Sequence, residues 1–586
     1  SDVYKRQNIY NDFKNQIFEI FLKVTKDNNK SLDDIHTLKE KFTVELPREE
    51  SHGDISTNIC LVLSKIVGLK PKELAILMKS NLEKLDYFDG ISIEGPGFIN
   101  INLENSFWHE QILNILKLKS KFGRSEIFLN NNINVEFVSA NPTGPLHVGH
   151  VRGAVIGDVL SNILKMVGYN VTKEYYINDA GNQIDVLAAS VFFRYEELIT
   201  KNKAEIPEGY YPGEYLIQLA KSLYDVHGDS LLNGDKLKSL ELIKKFSIEY
   251  LLNQIKDDLK KLNIEMDKYS SEKKLVEDLS VEKTIQELDK KGLIYIGVLP
   301  SPKSTTDDWE PKEQTLFKAK KFGDDEDRTI IKSDGALTYF ASDVAYHRDK
   351  LIRTKGKLIN IWGADHSGYV KRMTAAVNAI ADKDGQLEIK LCQMVNLIKN
   401  NKPLKMSKRA GNFITLNEII DEVGADAIRF IMLTRKNDQV LDFDFDKVTE
   451  KSKDNPVFYV KYAQARIFSV INKAEQLGYD TEKNNYDLSY LNHDVHLKLC
   501  KILTYWPKVI ETSAIHKEPH RVAFYLIELS SVFHSLWSLG REYDELRFFQ
   551  KENDASTYAN LNLLKAIKIV ICSGLDLFSV SAPEEM

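Results

Sequence analysis

Between residues 133 and 168 a strand, a punctuated turn and a long amphipathic helix follow one another without a break. Ile133 to Val138 alternates in the manner of a half-buried strand. The turn reads Ser139-Ala140-Asn141-Pro142-Thr143-Gly144-Pro145-Leu146-His147-Val148-Gly149-His150. Val155, Ile156, Val159, Leu160, Ile163, Leu164 and Val167 then repeat at the i, i+3/i+4 spacing of one buried helix face. Gly168 suits the left-handed residue that ends such a helix, and Val171 to Ile177 reads as the next strand. Two sequential strands joined by a helix require a parallel sheet with a right-handed crossover. The amino end of that helix, at the strand's carboxyl end, attracts anionic oxygen through free N–H groups and the helix dipole. Imidazoles at His147 and His150 can donate to the same oxygens, and Gly149 leaves room for a flat base against the backbone. The feature predicts a nucleotide-phosphate site in a Rossmann-like α/β domain.

The 586 residues allow three to four domains at ~150 residues each. Residues 1–110 read as an α+β unit, with helical patterns at Ile9 to Thr25 and Pro71 to Leu82. A strand pattern ends that unit at Gly97-Phe98-Ile99-Asn100-Ile101, and His52-Gly53-Asp54 reads as an ordinary turn. Residues 111–440 form the α/β domain, interrupted at about 195–300 by a Lys/Glu-rich helical insertion. The sheet pattern resumes at Arg328 to Tyr339, a hairpin around Ser333-Asp334-Gly335, and at Lys357 to Trp362, closed by Gly363. Residues 441–586 are almost entirely helical in pattern.

Composition excludes several classes. No uninterrupted apolar run reaches the ~20 residues a membrane span needs, and the amino terminus shows no secretory pattern. The four cysteines, Cys60, Cys392, Cys500 and Cys572, are scattered, which argues against a zinc site or a disulfide scaffold and for a reducing cytoplasm. A formal net charge of −6 argues against a DNA coat while leaving room for local RNA contacts.

A second motif lies far downstream: Lys405-Met406-Ser407-Lys408-Arg409-Ala410-Gly411-Asn412. It follows a hairpin pattern (Val395 to Lys399, then Asn400-Asn401-Lys402-Pro403) and precedes a helix with the capping-box spacing Thr415-x-x-Glu418. Cations on a glycine-containing loop can close over a polyphosphate and neutralise charge that grows in a transition state. Alone, such a loop is equally compatible with a solvated basic surface.

The paired His-x-Gly-His and Lys-Met-Ser-Lys motifs are the signature of class I aminoacyl-tRNA synthetases, and the chain resembles the bacterial arginyl-tRNA synthetases. The resemblance continues through Arg152-Gly153-Ala154 and Gly157-Asp158, then Tyr176-Ile177-Asn178-Asp179-Ala180-Gly181-Asn182-Gln183. Gly363-Ala364-Asp365-His366-Ser367-Gly368-Tyr369 and the ending Ser581-Ala582-Pro583-Glu584 complete it. Val148 in place of Ile and Arg409 in place of Ser are its mild departures.

The resemblance implies arginine activation by ATP with Mg²⁺, transfer to tRNA(Arg), no protein-held metal, and a monomer that engages neither DNA nor membrane. ATP would meet Pro142, Gly144, His147, Gly149, His150, Lys405, Met406, Ser407 and Lys408, of which His147, His150, Lys405 and Lys408 are the catalytic set. A guanidinium keeps its charge and pairs best with fixed carboxylates. Asp343 follows Tyr339 by four residues on one helix face, and by resemblance these two hold the guanidinium. Glu136, Ser139 and Asn141 would address the α-amino and carboxylate end, with Asp365 or His366 near the amino acid or the adenylate. The helical tail would read the anticodon through Tyr459, Tyr462 and Arg466, whose aromatic and cationic groups suit unpaired bases. The amino-terminal unit would touch the tRNA elbow. A synthetase for another amino acid, a small nucleotidylyltransferase and a silent tRNA-binding paralogue are the alternatives.

Overall fold

Apolar residues at Phe13, Ile17 and Phe21 give the helix Ile9–Val24 one buried face, which anchors the amino-terminal unit. The computed structural model describes residues 7–26, 35–47, 49–203, 205–300, 311–404, 414–482 and 487–583. The helix Pro71–Leu82 starts with Pro at its first turn, where the missing N–H costs nothing. The unit's antiparallel sheet runs, in spatial order, Val44–Glu45, Ile55–Thr57, Phe98–Leu103 and Phe88–Glu94.

The central sheet holds five parallel strands: β1 (Asn132–Glu136), β2 (Asn170–Ile177), β3 (Lys268–Ser271), β4 (Lys357–Gly363) and β5 (Leu387–Cys392). Their spatial order is β5-β4-β1-β2-β3. The chain reverses direction across the sheet between β1 and β4, so a crevice opens beyond the carboxyl ends of these two strands. Helix α1 (Val148–Met166) leaves the turn after β1, buries all seven expected stripe residues with Val167 at its C-cap, and ends with Gly168 at φ +102°. Gly157 allows its close approach to β1, since a Cβ there would meet Phe137 Cγ at 2.2 Å. Helix α2 (Glu272–Glu277) follows β3 directly, and helix α3 (Tyr339–Thr354) precedes β4.

The expected insertion at 195–300 is corrected by β3, which lies inside that range and belongs to the sheet. Helices Asn182–Thr200, Tyr215–His227 and Lys236–Lys261 make the excursion, and the chain re-enters the sheet at Lys268. A separate antiparallel meander of Ile294–Gly297, Gln314–Phe317 and Arg328–Ile331 follows. The reversal at Ser333-Asp334-Gly335 is closed by Lys332 N–H to Ala336 C=O, but Tyr339 begins a helix and is not a returning strand.

A small sheet of β6 (Val395–Lys399), β7 (Lys402–Pro403) and, parallel to β6, β8 (Leu441–Asp444) flanks helices α4 (Leu416–Val423) and α5 (Ala425–Ile431). Its β8 is a strand within the stretch whose pattern is otherwise helical. Helices α6 (Pro456–Gln476), α7 (Asp494–Thr504), α8 (His520–Glu542) and α9 (Asp554–Leu577) dominate the carboxyl-terminal bundle. Helices α8 and α9 are long and apolar enough to cross a membrane, yet half and two thirds of their most apolar stretches are buried in this bundle.

Candidate active site

The turn after β1 is built around backbone that L-residues seldom adopt. Val138 and Ser139 have φ of 69° and 42°, which turns the chain out of the sheet immediately after Glu136. Ser139 Oγ donates to Glu136 Oε1 at 2.9 Å and accepts the Tyr176 N–H at 3.0 Å. The Tyr175 hydroxyl holds the Ala140 carbonyl at 2.7 Å, and Tyr215 holds that of Thr143. Tyr215 also lies against Gly144, its hydroxyl 3.4 Å from where a Cβ would stand. The loop that carries Pro142 and Gly144 is thereby fixed from two sides.

His147 is the N-cap of α1: its Nδ1 accepts the Gly149 N–H at 3.1 Å. His150 Nδ1 faces the His147 N–H at 3.3 Å, and the two rings lie 3.9 Å apart. With both Nδ1 atoms accepting, a neutral ring at either position carries its proton on Nε2. Gly149 is needed here, because a Cβ would meet His147 Cε1 at 2.8 Å.

The chain just past the lysine loop returns to this turn. Thr415 forms an antiparallel bridge with His147, and the Leu416 N–H donates to the Leu146 carbonyl at 3.0 Å. Thr415 also caps α4, closing the capping box with Glu418. Before the loop, Asn400 and Asn401 turn the β6–β7 hairpin at φ 51° and 58°. Arg152 of α1 donates to the carbonyls of Gln393, Lys436 and Gln439 at 2.6–2.9 Å, tying the helix to the segments that lead into β6 and β8. Lys405, Met406, Ser407 and Lys408 themselves lie outside the described residues.

Near the carboxyl ends of β1, β2 and β3 the structure gathers a group of interacting carboxylates. Asp343, half-buried on α3, accepts the Tyr369 hydroxyl at 2.7 Å. Burial, assisted by the charge of Glu136, pushes its carboxyl up to about 6, against the pull of the Tyr369 bond and the Lys350 charge. Glu272, the first residue of α2, is 5% exposed, and burial with the charges of Asp343 and Asp179 raises it to about 7. Asp179 accepts from Ser271 Oγ at 2.6 Å and from the Lys273 N–H at 2.9 Å. Tyr339 is 69% exposed, its hydroxyl beside Gly181. Asn141 links Asn178 and Gln183 through two 3.1 Å bonds. Glu136 is not open to a guest on all sides, for Lys350 Nζ meets its Oε2 at 2.6 Å. Asp365 and His366 stand exposed in the turn after β4, at the switch point.

Sequence reading missed Glu272, Asp179, Tyr369 and Lys350. Asp179 and Tyr369 sit inside the motif strings quoted above, so a signal was present. Glu272 follows a four-residue polar strand and carries none. A cavity of about 650 Å³ bordered by Lys165, Met166, Lys565 and Lys568 lies at the far end of α1, away from these groups. Among the described residues no three His, Cys, Asp or Glu side chains converge to hold a metal ion.

In the bundle, the Arg466 guanidinium packs over the rings of Tyr462 (4.1 Å) and Trp537 (4.7 Å). Its Nη1 meets His534 Nδ1 at 2.9 Å, and the Tyr459 ring lies 4.5 Å from His534. The three residues thus share one half-buried aromatic cluster on α6 and α8.

A parallel sheet whose switch point lies beside the His-x-Gly-His turn, a chain that returns to that turn just past the Lys-Met-Ser-Lys sequence, and a mainly helical carboxyl-terminal bundle have the arrangement of a class I aminoacyl-tRNA synthetase. Residues 111–469 match the family model described as "tRNA synthetases class I (R), catalytic domain". Residues 12–103 match the "Arginyl tRNA synthetase N terminal domain", and 460–586 the "DALR anticodon binding domain". The chain is 49% identical to the arginine–tRNA ligase of Roseobacter denitrificans over 93% of its own length and 94% of that protein. It is 47% identical to that of Bartonella quintana over 99% and 100%. Its fold resembles the Thermus thermophilus arginyl-tRNA synthetase structure, with a TM-score of 0.69 and coverage of 98% and 100% at 17% identity. The chain belongs to the arginyl-tRNA synthetase family.

Proposed function

We propose residue roles for the reaction that this family membership assigns to the chain, an arginine–tRNA ligase that uses ATP to charge tRNA(Arg) with arginine. In the first step an arginine carboxylate oxygen bonds to the α-phosphorus of ATP and the bond to pyrophosphate breaks. In the second, the 2′-hydroxyl of the terminal adenosine takes the acyl group and AMP leaves. Neither step needs an enzyme nucleophile, so positioning and charge stabilisation supply the acceleration.

His147 and His150 meet the phosphates at the amino end of α1, Pro142, Gly144 and Gly149 flank the nucleotide, and Lys405 to Lys408 close over it. Mg²⁺ enters with the triphosphate, whose oxygens are its ligands. Asp343, Tyr339 and Glu272 take the guanidinium; Glu136, Ser139 and Asn141 take the α-amino and carboxylate end; Asp365 or His366 borders the adenylate. Tyr459, Tyr462 and Arg466 contact the anticodon arm, and the amino-terminal unit contacts the elbow. The proposed units are residues 1–110, 111–440 and 441–586, in a monomer that works in the cytoplasm.

The observation that carries this reading is the Thr415–His147 bridge, which brings the chain just past the Lys-Met-Ser-Lys sequence onto the His-x-Gly-His turn. The test is ATP–pyrophosphate exchange with and without tRNA. Exchange should depend on arginine and be abolished by Asp343→Ala in a folded protein. Exchange driven by another amino acid, or a wild-type kcat/KM in that variant, would sink the assignment.

A further inference from the structure

Lys350 of α3 has no exposed side-chain surface. Its ammonium donates to Glu136 Oε2 at 2.6 Å and to Asn360 Oδ1 at 2.8 Å, and lies 4.7 Å from the Tyr346 ring centroid. From both partners the contacts run on toward the pocket. Glu136 accepts from Ser139, the first residue of the turn, at 2.9 Å. The Asn360 amide nitrogen meets His347 Nε2 at 2.7 Å, and His347 Nδ1 meets the Asp343 carbonyl at 2.7 Å. The polarity of this chain is forced. An ammonium only donates, so the Asn360 oxygen faces Lys350 and its NH₂ donates to His347 Nε2. Nε2 must then accept, which puts the histidine proton on Nδ1, where it donates to the Asp343 carbonyl. Burial, with the Lys350 charge, holds that ring well below its usual protonation range, as a neutral link requires.

A buried ammonium is costly where an apolar side chain would pack as well, so its retention calls for a use of its charge. The other charged groups packed here are already matched or lie on the pocket side. Glu174 of β2 pairs with Arg353 at 2.8 Å. Asp343 bonds to the Tyr369 phenol, Asp179 to Ser271 and a backbone N–H, and Glu272 accepts from the Ala180 backbone. Arginine brings two cations, an α-ammonium and a guanidinium, and must not enter backwards. We propose that Lys350 is the positioning residue and fixed counter-charge of the arginine pocket: it neutralises Glu136 and, through Asn360 and His347, holds the main chain of Asp343. An incoming arginine then meets a paired carboxylate at the turn and an open one beneath the guanidinium, and this difference sets its direction.

This inference rests on the arginine-ligase reading. Its test uses the full chain with tRNA, in arginine-dependent exchange measured across a pH series from about 6 to about 9. Lys350→Met removes the charge that favours the ionised form of Asp343. The KM for arginine should rise about twofold at neutrality and several-fold at the acid end of the series, toward the tenfold limit of one pKa unit, and recover to the wild-type value at the alkaline end. The KM for ATP should stay within about twofold, because the phosphate turn keeps its own bonds. Asn360→Ala keeps the ammonium and cuts one arm, so the arginine KM should rise several-fold with the pH profile unmoved. A pH-independent rise in Lys350→Met, or an equal loss on ATP, would overturn the proposal. Should Lys350→Met not fold, Asn360→Ala decides: an unchanged arginine KM overturns it, and a several-fold rise with the wild-type profile upholds it. A wild-type enzyme without arginine-dependent exchange would sink the underlying reading instead.

Discussion

Burial lifts the Asp343 carboxyl to about 6, and burial with two neighbouring carboxylates lifts Glu272 to about 7, so near neutrality these carboxyls keep part of their protons. A guanidinium pairs with carboxylates, hence binding must drive protons off both groups. The KM for arginine should therefore rise as pH falls from about 8 to about 6, passing about tenfold per unit at the acid end because more than one proton must leave. A KM flat over that range, with ATP saturating, would remove these groups from the guanidinium's contacts. The same shifts bear on stability with a definite sign. A carboxyl whose folded pKa is raised stabilises the fold below its unfolded pKa, and that contribution is lost as pH rises through the folded value. At alkaline pH the ionised Glu272 is thus a burden on the order of 2–3 kcal/mol. Glu272→Gln should raise the thermal midpoint of the free protein at pH 8, with no gain at pH 5, while arginine-dependent exchange collapses. An unchanged midpoint at pH 8 would count against a buried charge there. The helical spacing of Tyr339 and Asp343 was legible, and the two lie four residues apart on α3. Glu272 was not: a lone carboxylate after Lys-Tyr-Ser-Ser looks like any solvated charge until the strand pairs with β2.

Helix α1 is the element on which the two segments proposed to flank the nucleotide converge. Its amino end presents the two imidazoles, and one turn later Arg152, 1% exposed, holds three carbonyls of the segments entering β6 and β8. An apolar replacement leaves those carbonyls unpaired, at a cost of about 3 kcal/mol or more in total. Arg152→Met should accordingly lower the unfolding midpoint. Arg152→Lys, which keeps the charge but not the fork, should fold and show a raised KM for ATP with the arginine KM nearly unchanged. Equal effects on both substrates would show that Arg152 acts through the fold at large. Elements whose signals are local were readable in the sequence, among them the capped start of α4, the Asn400-Asn401 hairpin and the glycine end of α1. Strand β3 was not, since four mostly polar residues carry no periodicity and their place is fixed by pairing alone.

At the scale of the whole molecule, the amino-terminal unit and the helical bundle are fastened to each other as well as to the central sheet. Glu511 of the bundle accepts from Asn8, Asn11 and Ser125 at 2.6–3.0 Å, and Lys501 meets Asp54 at 2.5 Å. The broad order of the units followed from pattern changes along the chain, but these seams did not, because each joins residues hundreds of positions apart. One seam carries a titratable weakness. Where α7 packs on the helix Asn105–Leu118, His109 Nε2 holds the Leu491 carbonyl at 2.9 Å, while His496 is buried with neither ring nitrogen hydrogen-bonded. Burial, with the nearby His493 and His109, depresses His496 to about 4. The unfolded chain takes up that proton near 6.5 and the folded chain resists it, so stability drains away as pH falls from 6.5 toward 4. The full loss from this one ring is on the order of 3 kcal/mol. His496→Leu fills the site with a group that needs neither proton nor partner. Unfolding midpoints recorded from pH 7 down to about 4.5 should then decline less steeply for the variant, the two curves meeting or crossing only at neutral pH. His347, His520 and His534 are also depressed, chiefly by burial, and keep a common acid slope in both proteins. Parallel acid limbs for variant and wild type would mean that the seam opens elsewhere. Opening there would separate the amino-terminal unit from the bundle before the central sheet is disturbed, since β1 to β5 have no part in this contact. Acid should therefore weaken tRNA charging at a milder pH than it weakens folding of the catalytic sheet.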